Sequence, residues 1–322
     1  MIGVVLMNLG GPETLDDIES FLYNLFSDRD VIRLMGIGLL QRGLAKIIAR
    51  RRVPYVRPQY AAIGGGSPLR RLTEAQAAAL AEALGPRYCV AVAMRHAQPD
   101  SAAAIESLVS HAVRRVVGLS LYPQFSRATT SSSMKALQAA AGASGAEMRL
   151  SFIDRFFDEP GYLDAVAAKV RAGLDGFPAA LRARVPVLFS AHGLPEVLVK
   201  EGDPYPEHVA ATVKGVMERV GSDHPHRIAF QSKVGRAKWI EPYTQDVIAA
   251  YGQAGQNELL VVPIAFVSDH IETLYEIDVT FKDLAAKAGV NDFRRVESLN
   301  SDPAFIGALA ELVRRHVLET GG

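Results

Sequence analysis

The chain has 322 residues, enough for a well-buried core and for two domains as easily as one. It is 49% apolar and 22% charged, with 35 basic and 35 acidic side chains, so no global charge points to nucleic acid and any basic surface is local. The single cysteine, Cys89, excludes an internal disulfide, a four-cysteine zinc site and an all-cysteine iron–sulfur cluster, and fits a reducing compartment.

The first element is MIGVVLMNLGGP. It lacks a basic n-region and a long apolar h-region, so it reads as a strand, Gly3–Asn8, and not as a signal peptide. No run reaches the about 20 apolar residues of a membrane-spanning helix. A cytoplasmic protein is expected, or one peripheral on the inner face of a membrane. Next comes Val31–Arg57, with seven basic residues and no acidic one. Leu40, Leu44, Ile47 and Ile48 fall on one helical face, with Arg42, Lys46 and Arg50 away from it. Such a helix lies in a membrane interface or packs on a core, and the lack of acids favours a membrane or an anionic ligand. Gly36–Gly43 has the wrong spacing for a dinucleotide fingerprint, and no strand precedes it. The triplet in IGGGSP, Ile63–Pro68, permits close approach of backbone N–H groups to an anion, but it equally suits a plain turn.

Further strands are expected at Tyr88–Met94, Arg115–Leu121, Met148–Ile153, Val185–Phe189, Arg227–Gln231 and Leu259–Ile264. Helical patterns lie at Thr73–Leu84, Ser101–Val113, Glu207–Val220 and Asp302–Val317. The alternation predicts an α/β fold with parallel sheets covered by helices on both faces. The strand exits match between halves: NLGGP, MRHAQP and LYPQFS in the first, SAHGLP, QSKVG and VPIAFVS in the second. This predicts two related doubly wound domains with a boundary near Asp154–Pro178. The first, 1–153, includes a membrane- or ligand-facing lip at about 31–57. The second, 154–322, carries the chemistry-bearing motifs, and its terminal helix docks back.

Open α/β sheets bind ligands outside the carboxyl ends of their strands. His192 of FSAHGLP stands at such an exit, where an imidazole can pass a proton or ligate a metal, or simply cap a turn. In SDHIETLYEID, Ser268–Asp278, Ser268 suits an N-cap and Asp269 and Glu272 a first helical turn. Asp269, Glu272 and Glu276, spaced i, i+3, i+7, would share one helical face, either as a path for a divalent cation or as a solvated stripe. HExxH and GxSxG are both absent. DPYP, Asp203–Pro206, reads only as a Pro-stiffened turn before a helix.

Together these segments resemble the ferrochelatase family, which inserts Fe2+ into a porphyrin. The matching blocks run in family order from LMNLGGPETLDDIESFLYNLFSDRDVI through RRVPYVRPQYAAIGGGSPL, YPQFSRATTSSS, LFSAHGLP, GDPYPEHVAATVKGVMERVG and FQSKVGRAKWIEP to VVPIAFVSDHIETLYEID. The resemblance implies two Rossmann-like domains with the porphyrin in the cleft between them. It implies His192 as the active-site histidine and Glu272 as its acidic partner. His192, Glu272, His270, Asp269 and Glu276 would form the metal-associated path, which is shortened because Thr280 replaces a further acid. Leu9, Arg51, Arg52, Tyr60, Ser67 and Trp239 fall at porphyrin-contacting positions. Cys89 alone cannot supply the four-cysteine [2Fe–2S] cluster of some members, so no tightly bound cofactor is expected and Fe2+ is a substrate. Leu9, where coproporphyrin-metallating members often carry Tyr, favours protoporphyrin IX and the terminal step of haem synthesis. An upstream porphyrinogen oxidase is an implied partner; nucleic acid is not.

The chemistry suits these residue types. Two inner N–H protons must leave as iron enters, and a bent ring exposes the nitrogen lone pairs. A base near neutral pH, His192, would accept a proton, with Glu272 taking or relaying the second. Arg51 and Arg52 would pair with propionates. The alternatives are a chelatase for coproporphyrin III or another ring and metal, and a porphyrin or haem carrier that inserts nothing. A periplasmic-type solute binder is a weaker third, given the missing signal peptide.

Overall fold

In the computed structural model, residues 1–31, 41–221, 223–235 and 237–321 are described. Apolar runs rich in Val, Ile and Leu form two separate four-stranded parallel sheets. The first contains β1 (Ile2–Asn8), β2 (Tyr88–Met94), β3 (Arg115–Ser120) and β4 (Arg149–Ile153), in the order β2-β1-β3-β4. The second contains β5 (Val187–His192), β6 (His226–Gln231), β7 (Glu258–Pro263) and β8 (Asp292–Arg295), in the order β6-β5-β7-β8. The same order recurs in both sheets. In each, the chain leaves the first strand, adds the second on one side and crosses back to add the third on the other. The topological switch points therefore lie between β1 and β3 and between β5 and β7.

Helices cover both faces, which is why the central strands are apolar without alternation. Val187, Leu188, Phe189, Leu259, Leu260 and Val261 have no exposed surface. Leu188 and Val261 pack with Ile277, Phe281 and Phe293 in one core; Val5, Met7, Ile105, Leu108, Val116 and Leu137 pack in the other.

The chain divides into two compact units, Met1–Arg155 with Ile306–Gly322, and Phe156–Phe305. The division thus falls at Arg155, at the edge of the expected boundary region. The helix Pro160–Asp175, inside that region, belongs wholly to the second unit. The final helix, Pro303–Glu319, begins in the second unit, where the Phe305 ring lies 6.3 Å from those of Phe156 and Tyr162. It ends in the first, where Arg115 donates to the carbonyls of Val317 and Gly321 and to Thr320 Oγ1.

β5, β8 and the lip differ from expectation. β5 runs on through His192, because its pairing with β6 continues to His192↔Gln231. β8 escapes the sequence pattern, being four residues long with two arginines and, among the described residues, pairing only with β7. The lip prediction falls partly outside the described residues: 32–40, including Leu40, are not among them. From Gln41 to Ala62 the chain is one helix that runs through Pro54 and Pro58. Its buried positions are Gln41, Ala45, Ala49 and Tyr60, whereas Leu44 and Ile48 are half-buried and Ile47 is 52% exposed. Small residues face inward because the helix lies close against helix Ile18–Ser27. Gln41 donates to the Phe26 carbonyl, Arg50 pairs with Glu19, and the Arg52 guanidinium lies 6.0 Å over the Phe26 ring. Among the described residues no helix is long and apolar enough to cross a membrane.

The glycines of NLGGP and IGGGSP have one explanation. The two turns lie against each other: Ser67 N–H donates to the Pro12 carbonyl at 2.7 Å. A Cβ on Gly11 would fall 2.6 Å from Ser67 Cβ, and one on Gly66 would fall 1.9 Å from the Glu13 carbonyl oxygen. The Gly66 contact is with backbone and has no side chain to move aside. Gly66→Ala is therefore expected to destabilise the fold by about 2 kcal/mol or more in urea denaturation. Gly142→Ala, in helix Ser132–Ala143 with open space around its Cβ, is expected to stabilise by about 0.5–1 kcal/mol.

Candidate functional site

The second unit brings its ionisable groups to the switch point of its sheet. His192 is the last residue of β5. Its Nδ1 lies 2.5 Å from the Gly193 carbonyl oxygen, which can only accept. Nδ1 therefore carries the hydrogen in the neutral ring, and Nε2 presents its lone pair. Nε2 lies 3.8 Å from Glu272 Oε1. Trp239 backs the ring, with centroids 5.9 Å apart, and is held by its own Nε1–H bond to the Val234 carbonyl. A Cβ on Gly193 would meet the Gln231 carbonyl at 2.9 Å and the Trp239 ring at 3.0 Å, so only glycine fits beside the histidine.

Glu272 opens a π-helical segment, Glu272–Phe281, that continues into helix Lys282–Ala288. With i→i+5 hydrogen bonds, one turn takes in more residues than the 3.6 of an α-helix, so positions four apart lie close to one line. Glu272 and Glu276 accordingly converge on Ser232. Ser232 Oγ is 3.0 Å from Glu272 Oε2 and 2.5 Å from Glu276 Oε2, while its N–H donates to Glu276 Oε1 at 3.0 Å. Gln231 Nε2 adds a bond to Glu276 Oε2. Burial pushes the Glu276 carboxyl above its usual range, and the Glu272 charge pushes it further, against the pull of Ser232, His192 and Gln231. One hydroxyl hydrogen cannot serve two carboxylates, so the arrangement is satisfied when one carboxyl carries a proton.

His270 supplies a second imidazole. Its Nδ1 lies 3.1 Å from the Ser268 carbonyl, its ring packs 4.4 Å from that of Phe266, and its Nε2 lies 3.9 Å from Glu272 Oε1. Burial lowers its pKa despite the nearby Glu272 charge, which keeps the ring neutral. His192, His270, Glu272 and Glu276 are thus brought together. Asp269 is not. The helix starts after His270, so Asp269 sits in the loop before it and does not share a face with the glutamates. Its carboxylate accepts from Arg295, Thr273, Ser298 and Asn300 and is fully engaged. Ser268, expected as N-cap, is buried in the same loop. Beyond Glu276 the stripe ends: Asp278 is held by Arg295 and Thr280 is exposed. Among the described residues no three His, Cys, Asp or Glu side chains form a group that could hold a metal ion. Of the five residues expected along a metal path, four lie near one another and Asp269 stands apart.

The remaining expected residues belong to the first unit. Leu9 follows β1, half-buried, with its carbonyl accepting from His96 N–H. Tyr60 is buried, Ser67 is half-buried in the glycine turn, and Arg52 lies over Phe26. Arg51 is exposed and has no carboxylate partner among the described residues, unlike Arg50 and Arg57, which pair with Glu19 and Asp16. A cavity of about 950 Å3 in this unit is lined by none of these five. It is lined instead by Asp28, Arg42, Arg95 and His96 among others. Asp28 accepts from Arg95 at 2.7 Å and from Ser132 at 2.6 Å. His96, 2% exposed, is pushed down to about 4 by burial and the Arg95 charge, against the pull of Asp28.

Sequence reasoning passed over Ser232, Gln231 and Arg295. QSKVG carried a signal as a polar strand exit, but only the fold brings it to the glutamates. Arg295 sat in the unrecognised β8.

Asp269 yields a stability test. Burial alone would raise its carboxyl, but hydrogen bonds from Asn300, Ser298 and Thr273 and the Arg295 charge outweigh this and hold it below the usual range. A depressed folded pKa adds stability above the unfolded value of about 3.9 that is lost as pH falls through the folded value. Asp269→Asn is expected to cost about 2–4 kcal/mol at pH 7 in thermal melts, with the gap to wild type closing below about pH 4.

The profile of the ferrochelatase family matches residues 1–317. Ferrochelatase from Geotalea daltonii is 48% identical over 311 residues, covering 97% of this chain and 96% of the relative. Ferrochelatase from Synechococcus sp. is 47% identical over 322 residues, covering 98% and 94%. Among solved structures, SirB from Bacillus subtilis with Fe3+ aligns over 99% of this chain and 98% of that one, with a TM-score of 0.59 at 12% identity, a likeness of fold alone. Full-length coverage at nearly half identity leaves one assignment: the chain belongs to the ferrochelatase family of metal-inserting lyases.

Proposed function

We propose that the protein inserts ferrous iron into protoporphyrin IX to form protohaem, the terminal step of haem synthesis, with His192 as the base that takes a pyrrole proton. The observation that carries this reading is the His192 tautomer: Nδ1 is tied to the Gly193 carbonyl, and the free Nε2 faces Glu272. Free-base porphyrin and Fe2+ give the neutral metalloporphyrin and two protons. His192 Nε2 accepts a proton from a pyrrole nitrogen of the bent ring, and the imidazolium that forms is stabilised by the Glu272 carboxylate. Glu272, Ser232 and Glu276 then form a route outward. The Ser232 hydroxyl can receive a proton from one carboxyl and pass its own to the other, and the raised pKa of Glu276 suits it to hold a proton. His270, kept neutral, offers Nε2 on the other side of Glu272 Oε1 and can help guide iron as it sheds water. These groups act on iron as a passing substrate, which needs no closed ligand cage.

In the first unit, Arg51, exposed and unpaired with any described carboxylate, is suited to a propionate, with Arg52 beside it. Leu9, apolar at the exit of β1, supports protoporphyrin IX over the more carboxylated coproporphyrin III. Exposed Ile47 and Tyr55 on a basic helix support a cytoplasmic protein that rests peripherally on a membrane, from which a poorly soluble ring could be received. The ring would be delivered by a porphyrinogen oxidase, since the substrate must already be aromatic.

The test is optical and anaerobic. With protoporphyrin IX and Fe2+, free-base bands are expected to give way to metalloporphyrin bands in wild type, and His192→Ala is expected to lower kcat about 10²–10³-fold. Turnover of His192→Ala within a few-fold of wild type would remove the base assignment. A band shift on mixing without metal insertion would indicate a carrier, and faster turnover of coproporphyrin III would reassign the substrate. Ser232→Ala is expected to lower kcat roughly tenfold, through loss of a hydrogen bond to charged groups, with little change in porphyrin KM.

A further inference from the structure

The DPYP turn has a definite position. Gly202, in the left-handed region at φ +88, turns the chain so that Asp203 N–H donates to the Leu198 carbonyl. Asp203 is buried, and its Oδ1 accepts from Tyr205 N–H at 3.2 Å. Tyr205 thereby begins helix Tyr205–Val220 with its ring directed inward, 7% exposed. Its hydroxyl donates to the His192 carbonyl at 3.0 Å.

That carbonyl needs a donor for a reason built into the sheet. Ser190 O accepts from Ile264 N–H on the β7 side, and Gly193 N–H donates to Gln231 O on the β6 side. The alternation of a parallel ladder therefore points His192 O toward β7. But β7 pairs with β5 only as far as Ser190↔Pro263, and its chain then turns away. Among the described residues no strand donor reaches His192 O, and the Tyr205 hydroxyl takes that place.

We infer that Tyr205 is a positioning residue for His192. By donating to the His192 carbonyl it fixes the His192–Gly193 peptide and so the start of Gly193, whose own carbonyl, in the next peptide, sets the tautomer and aim of the imidazole. A phenol remains a donor at physiological pH, and burial, then the Glu272 and Asp203 charges, push this one further from ionising. Asp203 and Gly202 hold the tyrosine, the tyrosine holds the peptide that enters Gly193, and the carbonyl that leaves Gly193 holds the ring. The inference rests on the reading of His192 as base for its effect on turnover, but not for its effect on the ring.

The experiment has two readouts on the full chain. In protein labelled with 15N-histidine, the His192 ring signals, assigned by their absence in His192→Ala, are expected to show the single Nδ1–H tautomer in wild type. In Tyr205→Phe, which removes one oxygen, they are expected to show a mixture. In the anaerobic assay Tyr205→Phe is expected to lower kcat about tenfold with porphyrin KM within about twofold. Thr212→Val, which removes a buried hydroxyl from the same helix, is the control for general loosening and is expected to leave both readouts at wild-type values. Tyr205→p-aminophenylalanine restores a donor and is expected to restore the tautomer and most of kcat. It also serves if Tyr205→Phe does not fold, since loss of the tautomer with the donor retained would count against the inference. An unchanged His192 tautomer in Tyr205→Phe, or equal losses in Thr212→Val, overturns it. Should His192→Ala keep its turnover while the tautomer still responds to Tyr205, the base reading fails and the positioning role stands.

Discussion

The site depends on one mismatch of register. β5 pairs with β6 through His192↔Gln231, but with β7 only through Ser190↔Pro263. The last two residues of β5 therefore extend beyond the strand on one side while remaining anchored on the other. This opens the switch point without loosening the strand, and it sets His192 beside the loop that follows β7. From that loop come His270 and, after the helix begins, Glu272 and Glu276. An imidazole and two carboxylates meet because two parallel strands end at different heights.

Charges in such a place must be compensated. Buried carboxylates four positions apart on one helix would repel each other in a dry environment. Here Ser232, with its backbone in the left-handed region at φ 64, turns both its N–H and its hydroxyl toward the pair. The pair then holds together best with a shared proton, the property a proton route requires. Asp269 shows the opposite solution. Four donors, one of them the Arg295 guanidinium, hold it ionised and fixed, so it secures the loop.

The two sheets share one topology but use their exits differently. In the first unit the exit of β1 is glycine-rich because another turn lies directly on it, with Gly66 against the Glu13 carbonyl and Gly11 against Ser67. Its polar side chains, Asp28, Arg95 and Ser132, bond to one another and knit helix Ile18–Ser27 to the exit of β2. In the second unit the corresponding exits carry groups that can exchange protons. A repeated scaffold thus supplies one packing surface and one chemical surface.

Much was legible in the sequence. β-branched runs alternating with helical patterns determined the α/β class and the parallel sheets, since only strands covered on both faces can be apolar throughout. The paired strand exits marked the repeat, and FSAHGLP and SDHIETLYEID named His192, His270, Glu272 and Glu276 through their family pattern. The rest was decided in three dimensions. A spacing of i, i+3, i+7 reads as one stripe only if the helix is α and begins early enough; it is π and begins after His270, so Glu272 and Glu276 align and Asp269 is excluded. Ser232 and Tyr205 lay in segments legible only as a strand exit and a turn, because their importance lies in hydrogen bonds to residues 40 and 13 positions away. Local periodicity reports which face of an element is buried. It does not report where a neighbouring strand stops, and that ending is what sets the histidine and the acids side by side.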